Sequence, residues 1–151
     1  MGCDIHAFVE VKTDRWNYVD DLELYRSYGL FGFLADIRNY SCVPPITNTR
    51  GLPPDISKEL RNTWEDEYDR HSPSYVYLKE LLDFDYSQVF EDRRTTLIEG
   101  NMRDGAHICE PGQGQITTFR EFLGPAYFKI LEKLKQYGVP DQVRLVFWFD
   151  N

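Results

Sequence analysis

Polar and apolar residues alternate along residues 3–12, and this alternation predicts a strand. Cys3, Ile5, Ala7, Val9 and Val11 fall on one face, and Asp4, His6, Phe8 and Glu10 on the other. Thr13-Asp14 then turns the chain into a second strand over residues 15–19, making a hairpin. Residues 30–38 read as a short buried helix. Residues 39–57, with Pro44-Pro45 and Pro53-Pro54, read as a long loop, and a loop of that length is either functional or poorly ordered. Beyond it Ile56, Leu60 and Trp64 recur at helical spacing, with Ser57 in place as a cap. Ser72 and Pro73 have the chemistry of the N-cap and first residue of a further helix, whose apolar face is Val76, Leu78, Leu81 and Leu82.

Residues 99–116 hold four glycines and Pro111 and read as irregular. Thr118 and Glu121 make a capping box for a short helix that breaks at Gly124-Pro125. Tyr127, Ile130, Leu131 and Leu134 form the apolar stripe of the strongest helix, which Gly138 and Pro140 stop. Residues 143–149 are apolar on both faces, as a central strand requires. These elements predict an α+β fold. Residues 1–151 form a single globular domain, with a small mixed β-sheet, the N- and C-terminal strands adjacent, and helices packed on one face.

Composition narrows the class. Hydrophobic residues are 42% and aromatics 15% of the chain, too much for disorder. No apolar run approaches the roughly 18–20 residues that span a bilayer, so no membrane is expected. The N-terminus lacks the basic and apolar segments of a secretory signal. Cys3, Cys42 and Cys109 are an odd number at irregular spacing, which suits reduced thiols in a cytoplasmic protein. Seventeen basic residues against twenty-five acidic ones give a net charge of −8, a surface that repels a phosphate backbone and disfavours non-specific nucleic-acid binding.

Chemistry is sought among polar residues in unusual places. Asp4 and His6 lie two apart on a strand, so both leave the same face, as metal ligands or an acid–base pair would. His71, Ser72 and Ser74 sit at the predicted helix start, where free N–H groups favour an anion. Arg50, beside Gly51 on the long loop, offers a forked guanidinium. Trp148 and Asp150 on the last strand share a face and would meet Asp4 and His6 if the terminal strands pair. A zinc site from Cys3, His6, His107 and Cys109 is disfavoured, because Cys3 and His6 point to opposite faces. No phosphate-binding loop, dinucleotide fingerprint or nucleophile elbow is present.

Four segments carry a resemblance that runs from the first residue to the last. They are the opening Met1-Gly2-Cys3-Asp4-Ile5-His6-Ala7-Phe8-Val9-Glu10, then Arg50-Gly51-Leu52-Pro53, His71-Ser72-Pro73-Ser74-Tyr75, and the closing Val146-Phe147-Trp148-Phe149-Asp150-Asn151. Together they resemble a group of small proteins encoded by tailed phages and prophages. In that group the third segment often reads His-Ser-x-Ser before an aromatic, sometimes with a second histidine at x. Here x is Pro73, which removes a two-histidine metal pair. The resemblance implies a viral protein acting in the host cytoplasm in an accessory role against host defences.

Three functions follow as expectations. The first is a polar pocket for a small anionic ligand such as a nucleotide, built from Asp4, His6, Arg50, His71, Ser72, Ser74, Trp148 and Asp150. The second is a metal-dependent hydrolase with a divalent metal on Asp4 and His6, helped by His71 and Asp150. The third is an acidic inhibitor of a host defence protein. The sequence leaves an oligomer open.

Overall fold

The computed structural model describes residues 2–151. In chain order it contains β1 (Asp4–Lys12), β2 (Trp16–Leu22), α1 (Tyr28–Ala35), α2 (Lys58–Asp66), β3 (Arg70–Tyr77) and α3 (Leu78–Asp83). Then come β4 (Val89–Asp92), β5 (Arg94–Ile98), β6 (Asn101–Ile108), β7 (Gln115–Thr118), α4 (Phe119–Leu134) and β8 (Val143–Asp150). The fold is α+β, and it divides into two compact units. One unit holds residues 2–26, Thr49–Phe84 and Pro125–Asn151; the other holds Ser27–Asn48 and Asp85–Gly124.

The first unit is built on a four-stranded sheet in the order β2-β1-β8-β3, so the N- and C-terminal strands are neighbours. Its pairings are all antiparallel rather than mixed. Strand β8 is central because it is apolar on both faces, and every residue from Val143 to Phe149 is buried. On one face Val146 and Trp148 pack with Ile56 and Leu60, and Phe8, Leu52, Trp64 and Tyr75 close round them. Helix α2 brings Leu60 there. Its predicted cap is in place, with Ser57 Oγ accepting from the Leu60 N–H at 3.4 Å. The opposite face of the sheet buries Val9, Leu145, Phe147 and Phe149 completely or nearly so.

The helix expected from Ser72 does not form there. Residues 70–77 pair with β8 as an edge strand, and the following helix starts only at Leu78. The ladder to β8 outweighs the local capping chemistry of Ser72-Pro73. The register shifts between His71 and Ser74, and Ser72 takes a left-handed φ of 54° inside this bulge. An edge-strand bulge is where a proline such as Pro73 is tolerated, since no ladder bond needs its missing N–H.

The second unit contains α1, the ribbons β4-β7 and β5-β6, and α4 up to Gly124. Helix α1 starts earlier than expected, capped by Ser27 Oγ on the Leu30 N–H and closed by Asp36 at φ 58°. The stretch expected to be irregular supplies β6 instead. Its glycines mislead because one is a turn glycine: Ile98 pairs with Asn101 across Glu99-Gly100, whose φ values are 52° and 77°. That is the two-residue hairpin turn with both central residues left-handed. The break in α4 falls as expected, with Gly124 at φ 79° and ψ 172°. The Thr118 Oγ1 cap on the Glu121 N–H forms at 3.1 Å. Among the described residues no helix is long and apolar enough to cross a membrane.

Candidate functional site

Antiparallel register places Asp4 opposite Asp150 on β8, and Arg70 opposite Asp150 on its other side. Directly opposed residues share a face with Cβ atoms about 4.5–5.5 Å apart. A row Asp4–Asp150–Arg70 therefore crosses three strands at one end of the sheet. His6 stands one same-face step along β1, and its Nε2 lies 2.5 Å from Asp150 Oδ2, with both side chains 36% exposed. Arg26, just beyond β2, grips Asp4 with a fork, Nε to Oδ1 at 2.7 Å and Nη2 to Oδ2 at 2.8 Å. The Arg26 fork holds the Asp4 carboxyl below its usual range.

Arg70 is held differently. Its guanidinium lies 4.6 Å from the centroid of the Trp64 ring, and Nη1 donates to the Glu67 carbonyl at 2.7 Å. Its Nε is buried and has no hydrogen-bond acceptor among the described residues. A buried donor without an acceptor is uncommon, because desolvating it costs about 1–3 kcal/mol. The sequence reading missed Arg26 and Arg70. The period-two rule was available for Arg70 only once residues 70–77 are read as a strand.

The other expected site residues do not join this row. His71 pairs with Phe149, one residue from Asp150, so it leaves the opposite face of the sheet. There it stacks on the Phe149 ring at 6.1 Å and 25°, with Nδ1 2.9 Å from Ser72 Oγ. Because Ser72 lies in a strand bulge, the anion site expected at its helix start is absent. Ser74 is fully buried, and its Oγ accepts from the Arg50 N–H at 3.0 Å. Arg50 spends its fork on Glu80, at 2.7 and 2.6 Å, and gives Nη1 also to the Tyr75 carbonyl at 3.2 Å. It anchors the long loop instead of waiting for a ligand. Trp148 is fully buried, with Nε1 donating to Glu67 Oε2 at 2.6 Å, so it offers no stacking face.

The metal reading loses its geometry as well. Among the described residues no three His, Cys, Asp or Glu side chains gather as a metal site requires. Asp4 is committed to Arg26 and His6 to Asp150, so the Asp4–His6 spacing does not leave two free ligands.

A second polar assembly lies further along the same face. Glu10 and Arg144 are opposite each other on β1 and β8, and both side chains are 0% exposed. Arg144 Nε reaches Glu10 Oε1 at 2.7 Å, Nη1 reaches Asp55 Oδ1 at 2.8 Å, and the guanidinium lies 4.0 Å from the Trp16 ring centroid. Glu10 Oε2 accepts the Ser57 N–H at 2.8 Å, tying the start of α2 to the sheet. For Asp55 burial works against ionisation, but the Arg144 hydrogen bond and charge outweigh it and lower the pKa. Here the sequence signal is a lone arginine inside a strand that is otherwise apolar on both faces.

Chemically, the row offers an imidazole oriented by a carboxylate and two guanidiniums of different freedom. Arg26 and Asp4 are each about half exposed, and solvent screens an exposed pair of this kind, so Arg26 can exchange its partner cheaply. Set beside known proteins, the chain matches no family model, no curated protein and no solved structure.

Proposed function

We propose that the chain binds a small phosphate-bearing anion, such as a nucleotide, at the row formed by Arg26, Asp4, Asp150 and Arg70, with His6 beside it. The observation that carries this reading is the buried Nε of Arg70, a cationic N–H donor without an acceptor. The Nε is sealed in this arrangement, so a phosphate oxygen supplies that acceptor only when the guanidinium lifts off the Trp64 ring, and a planar fork is then suited to take it in two bonds. Arg26 supports the reading because its exposed bond to Asp4 is readily traded for a more highly charged ligand. The likeness to phage-encoded proteins gives the setting, an accessory role in an infected host cell.

Titration calorimetry with inorganic phosphate, AMP and a cyclic dinucleotide tests the reading. Arg70→Ala is expected to weaken binding by about 1.5–3 kcal/mol, the range for hydrogen bonds to charged groups. Absence of heat for all three compounds, or equal affinity in the variant, would overturn it. A second reading, capture of a host protein, is favoured by Leu97, Met102 and Ile108, which are exposed by half or more on the β5-β6 ribbon. Retained anion binding in a Leu97→Ser, Met102→Ser variant separates the two.

A further inference from the structure

The two edges of the first unit's sheet are finished differently. On β3 the long loop covers the outer edge: the Gly51 N–H donates to the Pro73 carbonyl at 3.0 Å, and Arg50 Nη1 donates to the Tyr75 carbonyl at 3.2 Å. On β2 nothing does so. It stands first in the sheet order and pairs only with β1, and no other backbone hydrogen bond reaches it among the described residues. An open edge is a row of main-chain donors and acceptors that a further strand can use, and proteins commonly blunt it. Here the blunting is partial. One extra residue, Val19, bulges between the Val9–Asp20 and Glu10–Tyr18 pairs, while the residues from Asp20 to Leu22 stay in regular register.

Beside that regular stretch lies a groove of about 430 Å³. Asp21, Leu22 and Glu23 form one wall, and Lys129, Ile130 and Lys133 of α4 form the other. All six belong to the first unit. Leu22 is opposite Ala7 and Asp20 opposite Val9, so the two leave the same face of the sheet. Tyr137 Oη donates to Asp20 Oδ2 at 2.5 Å, which brings the chain just after α4 to that face. Since β1 occupies the inner side of β2, the groove opens on the outer side, where a further strand would lie.

The lysines of the groove are uncompensated. They stand one turn apart on α4, an i,i+4 pair of like charge, which by itself weakens a helix slightly. Both are exposed, and neither forms an ion pair among the described residues. Asp21, on the opposite wall, leaves the other face of the sheet and is bonded by the Tyr18 hydroxyl.

We propose that the outer edge of β2 takes an extended acidic peptide as an added strand, seated in the groove against α4. Main-chain hydrogen bonds to β2 hold the peptide. An aspartate or glutamate beside Leu22 shares its face and meets Lys129 and Lys133, with Ile130 as the apolar contact between them. Strand addition reads peptides in this way: the main chain supplies affinity, and alternate side chains supply specificity.

A labelled peptide alternating glutamate and threonine, about eight residues long as an ordinary strand is, probes the intact chain by fluorescence anisotropy against its lysine counterpart. The glutamate peptide is expected to bind about tenfold more tightly than the lysine one, with affinity falling as salt rises. Lys129→Glu, Lys133→Glu is expected to reverse that preference. Both lysines are exposed, and the melting temperature of the double variant checks that the fold is kept. Hydrogen exchange is expected to show the β2 amides protected by the peptide. Arg70→Ala is expected to leave binding unchanged, which separates the groove from the anion row. No binding of either peptide, equal affinity for both, a preference that survives the charge reversal, or binding without protection of β2 would each overturn the proposal. So would protection of β2 that rises with protein concentration alone, which would assign the edge to a second copy of the chain.

Discussion

Arg50 shows how one side chain can be legible as chemistry and misread as function. Its forked guanidinium was expected to await an anion, and the fork is indeed used, but on Glu80 of α3. The hydrogen bonds from Arg50 chiefly hold the Glu80 carboxyl below its usual range; burial opposes them, and the Tyr77 N–H assists. A carboxyl with a depressed folded-state pKa adds stability above its unfolded value, about 4.3, and that stability is lost as pH falls through the lower folded value. Arg50→Ala is therefore expected to cost about 1–2 kcal/mol at pH 7, discounted because the pair keeps some exposure to solvent. It should also flatten the fall in stability below about pH 5. Urea unfolding at pH 7 and pH 4 checks both points; an equal loss at the two pH values would mean the pair carries none of the acid sensitivity.

Among the elements, β3 is where local sequence and tertiary pairing disagree. Ser72-Pro73 is good capping chemistry, yet the segment lies against β8, and the bulge pushes Ser72 to φ 54°. A non-glycine residue pays roughly 1–2 kcal/mol in that conformation. Ser72→Gly is expected to preserve or raise stability, whereas Ser72→Val should lower it by about 1–2 kcal/mol, since a β-branched residue fits a left-handed turn worst. Thermal melts of the two variants decide the point, and a stabilising valine would show that the bulge is absent in solution. The same conflict explains what the sequence did and did not disclose. Strands β1 and β8 were legible because alternation in one and two-faced apolarity in the other survive any tertiary context. Helix α2 and the Gly124 break were legible because Ser57, Gly124 and Pro125 act locally. Strands β3, β5 and β6 were not, because their pairing depends on distant partners or on a Glu99-Gly100 turn hidden in a glycine-rich stretch. Of the site, Asp4, His6 and Asp150 followed from strand period and adjacency. His71 was placed wrongly by the same helix error that hid Arg70: in a strand the two leave opposite faces.

For the whole molecule, the decisive contact is between β1 and β8, which joins residues such as Asp4 and Asp150 from opposite ends of the sequence. Closing so long a loop costs chain entropy before any contact is gained, so this pairing is expected to form after the local β1-β2 hairpin. Once formed, β8 holds both β1 and β3, and without it the β1-β2 hairpin would stand alone, marginal in water, while β3 would have no partner. Deleting residues 146–151 also removes Phe147, Trp148 and Phe149, all fully buried. At about 1.5–3 kcal/mol for each large apolar side chain, these losses sum to a quantity comparable with the roughly 5–15 kcal/mol that holds a domain together. The truncated chain is expected to lose amide protection across β1 and β3 and the near-ultraviolet signal of Trp16 and Trp64. Hydrogen exchange followed by mass spectrometry reads the first and circular dichroism the second. Protection of β1 that survives the deletion would show that the hairpin is held by something other than β8, and that the sheet does not depend on its central strand.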